Sequence, residues 1–224
     1  MTKNAFHFDA LTPDFMWYAI ESIGIRAHSG FLALNSYENR VYQFSDESRQ
    51  RYVVKFYRPE RWSEAQILEE HGFTLELIDA EIPVAPPLQI AGKTLHHYQG
   101  YLFALFASVG GRQFEVDNIE QLEGVGRFLG RIHKIGCLRK FEHRPNIDLN
   151  EYLYQPRKIL QSSEMIPVHL ERSFFNDLDM LITAIEHHWS DDVTSLRLHG
   201  DCHPGNILWR DVPMFVDLDD ARNG

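Results

Sequence analysis

The chain has 224 residues, 44% of them hydrophobic, enough to bury a real core in one large domain or two small lobes. Its formal charge is −10, with 22 Lys and Arg scattered among 32 Asp and Glu, which argues against broad nucleic-acid binding, where clustered cations must meet phosphates. Only two cysteines occur, Cys137 and Cys202, far apart in sequence; they imply no disulfide framework and make a reducing cytoplasm the expected setting.

The N-terminal stretch "MTKNAFHFDALTPDF" lacks the basic-then-apolar pattern of a leader, and no apolar run approaches the ~20 residues that span a bilayer, so no membrane role is expected. Residues 13–23 read as a short helix, with Phe15, Met16, Ala19, Ile20 and Ile23 at helical spacing and Gly24 as the stop. The period then changes. Aromatic and β-branched residues predict antiparallel strands near 31–35, 40–45 and 51–57. Ser63 caps a helix carrying Ile67, Leu68, Leu75 and Ile78, and Pro83, Pro86 and Pro87 keep it from continuing. Two further strands are expected near 88–91 and 101–107, the second in "YLFALFA".

Gly110-Gly111 breaks this pattern, and composition shifts toward helices, so a boundary is placed between an N-terminal lobe, 1–107, and a C-terminal lobe, 108–224. "NIEQLEGVGRFLGRIHKIG" puts Leu122, Val125, Leu129 and Ile132 on one helix face. Helices are also expected over 148–160 and 168–189, the latter through Leu170, Phe174, Leu178, Leu181, Ile182 and Ile185. The last third returns to short apolar pieces: "SLRLHG", "NILWR" and "MFVDLDD".

Bridging the first two of those pieces is "LHGDCHPGNILW", which admits three chemistries. His199, Cys202 and His203 could offer nitrogen and sulfur to zinc, but the set is too tight for a closed site and no second ligand pair accompanies it. Cys202 beside His203 could be a thiol nucleophile, yet adjacent residues in an extended loop point apart, and a small filler is the plainer reading. The third chemistry uses Asp201, Asn206 and Asp217. Phosphoryl transfer needs a carboxylate near the attacking hydroxyl and oxygen ligands for Mg²⁺, and these three residues supply that set from the two arms of a hairpin turning at Asp211-Val212-Pro213.

"HGDCHPGN" followed by "FVDLDD" resembles the catalytic loop and metal-binding aspartate of the aminoglycoside phosphotransferase/choline kinase-like superfamily, distant relatives of the eukaryotic protein kinases. Through "LNSYENRVYQF", "VVKFYRPERW", "VGGRQFE", "LHGDCHPGNILWRD" and "MFVDLDDARNG" the chain is similar, over nearly its whole length, to the bacterial stress-response Ser/Thr protein kinases of that superfamily. The resemblance implies an α+β, two-lobed protein-kinase-like fold: an antiparallel sheet with one main helix, then a mostly helical lobe.

Carried onto this sequence, it implies that Asp201 accepts the substrate hydroxyl proton, that Asn206 and Asp217 hold Mg²⁺ on the ATP phosphates, and that His199 braces the loop. Lys55 would reach the α- and β-phosphates and pair with a helix glutamate, Glu70 by choice, with Glu69 also eligible. Ser36, in the turn "NSYEN" that replaces a glycine-rich loop, would contact ATP, and backbone groups around Phe106 to Ser108 would receive the adenine. Two departures stand out: Gly200 occupies the place of the arginine that protein kinases put before the catalytic aspartate, and Asp217-Leu218-Asp219 replaces Asp-Phe-Gly. The chain also ends seven residues after Asp217, where relatives continue, so its helical lobe is expected to be incomplete. The implied function is an ATP- and Mg²⁺-dependent kinase, expected to be a monomer, acting on Ser/Thr hydroxyls of proteins in a bacterial stress response. The alternatives are a small-molecule hydroxyl kinase and a non-catalytic nucleotide-binding module.

Overall fold

The computed structural model describes residues 8–190 and 192–224, and of Asp9 the backbone alone; the first seven residues, part of the leader reading, lie outside it. Helix α1, Pro13–Glu21, starts where the Thr12 hydroxyl accepts the Phe15 N–H and Pro13 supplies a pre-set φ. Strands β1 (Leu32–Ala33), β2 (Arg40–Ser45), β3 (Arg51–Phe56), β4 (His96–Tyr98) and β5 (Tyr101–Ala107) form one antiparallel sheet in the order β1-β2-β3-β5-β4.

Alternation along β3 decides where the chemistry goes. Val54 and Phe56 point toward α1 and pack with Met16, Ala19, Ile20, Phe44, Phe103 and Leu105. Lys55 therefore faces the other side, paired in register with Ala104 of β5. On that side lies α2, Glu64–Asp79, whose first turn is closed by a capping box between Ser63 and Gln66. Ile67 of α2 packs under the sheet with Tyr57, Leu95 and Ala104, while Phe73 and Leu77 enter a second core with Ile132, Phe141, Ile207, Phe215 and Leu218. One helix thus has a foot in each lobe.

The strand expected near 88–91 is replaced by isolated bridges. Pro86 and Pro87 have no N–H to give to a ladder, and Ile90-Ala91-Gly92-Lys93 closes a tight turn, with φ of 49° at Ala91 and 80° at Gly92. The edge strand beside β5 is instead β4, which begins at His96. The second lobe contains α3 (Ile119–Gly136), a π-helical turn (Asn150–Tyr154), α4 (Gln155–Ser162) and α5 (Val168–His188). Two small sheets complete it: β6 (Arg112–Gln113) with β8 (Ile207–Trp209) and β9 (Pro213–Phe215), and β7 (Arg197–Leu198) with β10 (Arg222–Asn223).

Periodicity overstated burial in two of these helices. Leu122 of α3 is exposed, and of α5 only Ile182 is buried, leaving Leu170 and Leu181 in contact with solvent. The two-lobed α+β architecture itself is the one the sequence pointed to. Among the described residues no helix is long and apolar enough to cross a membrane.

Candidate active site

Between the lobes lies a cavity of about 320 Å³ whose lining includes Ser36, Lys55, Glu70, Phe106, Asn206 and Asp217. Those six residues come from the β1–β2 turn, β3, α2, β5, the loop 199–206 and the position after Val216, so the fold brings together what the sequence scatters. Val109 also lines the cavity, whereas the Ser108 hydroxyl turns away to accept from Gln43 Nε2 at 2.6 Å.

Local geometry makes the loop 199–206 rigid. The buried His199 accepts the Asp201 N–H at Nδ1, 3.4 Å, so its hydrogen sits on Nε2 and is donated to the Val216 carbonyl at 3.0 Å. This single ring ties the two arms of the hairpin together. Burial pulls its pKa below the ordinary value, although the Val216 carbonyl opposes the shift. Gly200 has φ +84°, and a Cβ there would overlap the Asp220 carbonyl; the arginine that protein kinases carry at this place has no room. Asn206 donates Nδ2 to the Asp201 carbonyl at 2.9 Å and to its carboxylate at 3.2 Å, which leaves Oδ1 as its acceptor. The Asp201 carboxylate is also 3.5 Å from His203 Nε2 and about half exposed.

Lys55 departs from the expected pairing. Its side chain is 9% exposed, and the ammonium contacts Asp217 at 2.9 Å and Asp219 at 2.6 Å and lies 5.4 Å from the Phe106 ring centroid. No hydrogen bond joins Lys55 to Glu70 among the described contacts; Glu70 is buried beside it and accepts from the Thr74 hydroxyl at 3.3 Å. Glu69 points elsewhere, since neighbours on a helix diverge by about 100°. Its carboxylate accepts the N–H groups of Glu142, His143 and Arg144 at 2.6, 2.8 and 2.9 Å.

The charges respond in a sensible pattern. Burial alone would lower the Lys55 pKa, but Asp219 and Asp217 outweigh it and hold the ammonium well above its usual value. Lys55 holds the more exposed Asp217 below the usual carboxylate range, while burial pushes Asp219 up to about 7 against the pull of the same lysine. Asp217 also sits at φ +61°, a left-handed conformation that costs a non-glycine residue of order 1–3 kcal/mol, the kind of strain kept at functional sites.

Two contributors gave no sequence signal strong enough to be singled out. Asn39 is buried, hydrogen-bonds the Asp219 carboxylate through Nδ2 and accepts the Arg58 N–H at 2.9 Å, so the β1–β2 turn is fastened to the segment bearing Asp217. Arg144 bonds the Asp219 and Ala221 carbonyls. Alternating patterns mark strands; they do not mark a lone polar residue at a turn.

Asn206 and Asp217, both carrying oxygen donors suited to a hard cation, line one cavity, a donor set that fits Mg²⁺ or Ca²⁺ completed by phosphate oxygens. Among the described residues no group of three His, Cys, Asp or Glu side chains is disposed to hold a metal ion.

Comparison with known proteins agrees with this geometry. A family model described as "Phosphotransferase enzyme family" matches residues 31–224. The chain is 59% identical over 224 residues to stress response kinase A of Escherichia coli K12, covering all of this chain and 68% of that protein. It is 57% identical, with the same coverage, to the serine/threonine protein kinase RdoA of Salmonella typhimurium. Among solved structures, an amicoumacin kinase in complex with AMP-PNP and Ca²⁺ superposes with a TM-score of 0.76 at 21% identity, covering 98% of this chain and 68% of that one. A microcompartment-associated aminopropanol kinase gives 0.74 at 17% identity, covering 94% and 70%. At those identities the superpositions speak for the fold alone. With the family model spanning most of its length and kinases nearly three-fifths identical to it, the chain belongs to the phosphotransferase enzyme family, in which the stress response kinases are its relatives.

Proposed function

We propose that this kinase transfers the γ-phosphate of ATP, with Mg²⁺, to Ser/Thr hydroxyls of proteins. The observation that carries the reading is the convergence of Lys55, Asn206 and Asp217 on one cavity, with Asp201 outside its lining but hydrogen-bonded to Asn206. Protein as the acceptor rests on the relatives named as serine/threonine and stress response kinases.

In this reading the adenine lies against Phe106 and Val109, and the turn at Ser36 covers the phosphates with backbone N–H groups. Lys55 is held charged and inside the cleft by Asp217 and Asp219, ready to exchange one carboxylate for phosphate oxygens. Asn206 Oδ1 and Asp217 would hold Mg²⁺, which when bound neutralises charge on the phosphates. Asp201, kept in place by Asn206 and by the His199 contact to its N–H, takes the proton of the attacking hydroxyl as its oxygen bonds to phosphorus and the bond to ADP breaks. The lobes divide near residue 107, and two free cysteines fit a reducing cytoplasm. We take the working form to be a monomer.

The test is transfer of labelled γ-phosphate to generic Ser/Thr proteins beside a panel of amino alcohols, sugars and aminoglycosides. Protein labelling that survives phosphatase-free washing and maps to Ser or Thr supports the reading. Labelling of the small alcohols alone would replace it with a small-molecule kinase, and failure of MgATP to raise Tm would leave a module that does not bind nucleotide.

A further inference from the structure

One buried cation outside the cavity grips the segment that carries Asp217. We propose that Arg144 is a positioning residue: its guanidinium locks the backbone from Asp217 to Ala221 against α2, and so sets the place of the Asp217 carboxylate. The inference deepens the function proposed above, since it takes Asp217 as the metal-holding group.

Arg144 is 3% exposed and lies in the loop between α3 and the π-helical turn. Each of its three nitrogens is committed. Nη1 donates to the Gln66 carbonyl of α2 at 3.2 Å, Nη2 to the Asp219 carbonyl and Nε to the Ala221 carbonyl. The guanidinium stacks on Trp62, 4.3 Å from the ring centroid. Its planar guanidinium fork, with five donors in fixed directions, suits it to hold carbonyls of two separate segments at fixed angles. Burying a cation to bind neutral carbonyls is costly, so a site needing only packing would be served by an apolar side chain.

The loop that presents Arg144 is itself fastened at both edges. On the α2 side, Glu69 accepts three consecutive N–H groups of residues 142–144, and Gln66 Nε2 donates to the His143 carbonyl at 3.0 Å. On the other side, Asn223 exchanges hydrogen bonds with both backbone groups of Phe141, at 2.9 and 3.1 Å. The catalytic loop cannot do this work, because Gly200 packs against the Asp220 carbonyl with no space for a side chain. The segment's cation therefore arrives from elsewhere in the chain, with Glu69 as its anchor.

The test uses the full chain with Arg144→Lys, which keeps the charge and loses the fork, and Arg144→Met, which keeps length and loses both. Nucleotide binding is titrated against Mg²⁺, and amide exchange is followed at Leu218–Ala221. The Mg²⁺ concentration for half-maximal nucleotide binding should rise about 10–100-fold in Arg144→Met and stay well raised in Arg144→Lys, as when the support of a metal ligand is removed. Glu69→Gln should shift it in the same direction by less, which keeps the proposal open to test if both Arg144 variants misfold. A merely structural arginine would lower Tm and leave that concentration within about twofold of wild type in the folded variants, an outcome that overturns the proposal. If the wild-type chain shows no Mg²⁺-dependent nucleotide binding, the proposed function falls instead. Exchange at Leu218–Ala221 then decides the positioning role alone, and wild-type protection in Arg144→Met would overturn it.

Discussion

The five-stranded sheet and the segment 197–224 hold their shape by opposite means. In the sheet, β2, β3 and β5 pair over five or six consecutive residues, and side chains such as Phe56 and Phe103, fully buried, fill the layer under α1. In the segment, strands are two or three residues long, and single polar groups do the fastening: His199 to Val216, Asn206 to Asp201, Arg144 to Asp219 and Ala221. A ladder shares strain over many equivalent bonds. A network of unlike bonds can fix one carboxylate in one place, which transfer chemistry needs, and it is correspondingly exposed to single substitutions.

Substitutions in the two regions should therefore separate activity from stability. Asp201→Asn should lower phosphate transfer by about 10²–10⁴-fold, the usual worth of a positioned base, with MgATP affinity and Tm near wild type. Retained transfer would remove the base assignment. In the sheet the reverse is expected. Phe103→Ala should cost about 3–5 kcal/mol in denaturant unfolding, as the loss of a fully buried aromatic does, while the remaining folded fraction transfers normally.

Gly200→Ala reads stability and transfer together within the segment. The left-handed backbone and the Asp220 carbonyl both oppose a Cβ, so about 1–3 kcal/mol of stability should be lost and transfer should fall further than the folded fraction accounts for. Equal losses would mean the loop absorbs the change elsewhere.

Glu76 of α2 ties the segment to that helix by an ion pair with the buried Arg197 of β7 at 2.7 Å. Burial raises the Glu76 pKa, but hydrogen bonds from Arg197 and Arg139 outweigh that and hold it below the usual carboxylate range. A carboxyl depressed in the folded state stabilises fully above its unfolded value of about 4.5 and loses that contribution as pH falls through the lower folded value. Glu76→Gln should cost about 1.5 kcal/mol at neutral pH and flatten the acid limb of the stability curve below pH of about 4.5, as read by urea midpoints. An unchanged acid limb would count against the pair. The smallest effect is expected at the exposed Arg157–Asp179 pair on α4 and α5, where Asp179→Asn should leave Tm unmoved.

Legibility in the sequence followed the length of the pattern. Strands β2, β3 and β5 and helices α1, α2, α3 and α5 were readable because several residues in each obey one period. The strand near 88–91 was misread because apolar content outweighed two prolines and a Gly92 turn, and β4, "HHY", carries too few apolar residues to announce itself. In the cavity, Ser36, Lys55, Glu70, Phe106, Asn206 and Asp217 were named from local motif and resemblance, and the fold brings all six together. The partner of Lys55 was not readable: choosing Asp217 and Asp219 over Glu70 depends on a few ångströms of lobe position that no spacing encodes.

What the sequence determined by itself was which residue types could do phosphoryl chemistry, and which face of β3 Lys55 must take, because strand alternation is a local rule. Tertiary structure alone decided which charges meet. Asn39 and Asp219 are 180 residues apart, and Arg144 reaches three carbonyls from a loop with no motif of its own, contacts that exist only once two lobes and α2 have packed.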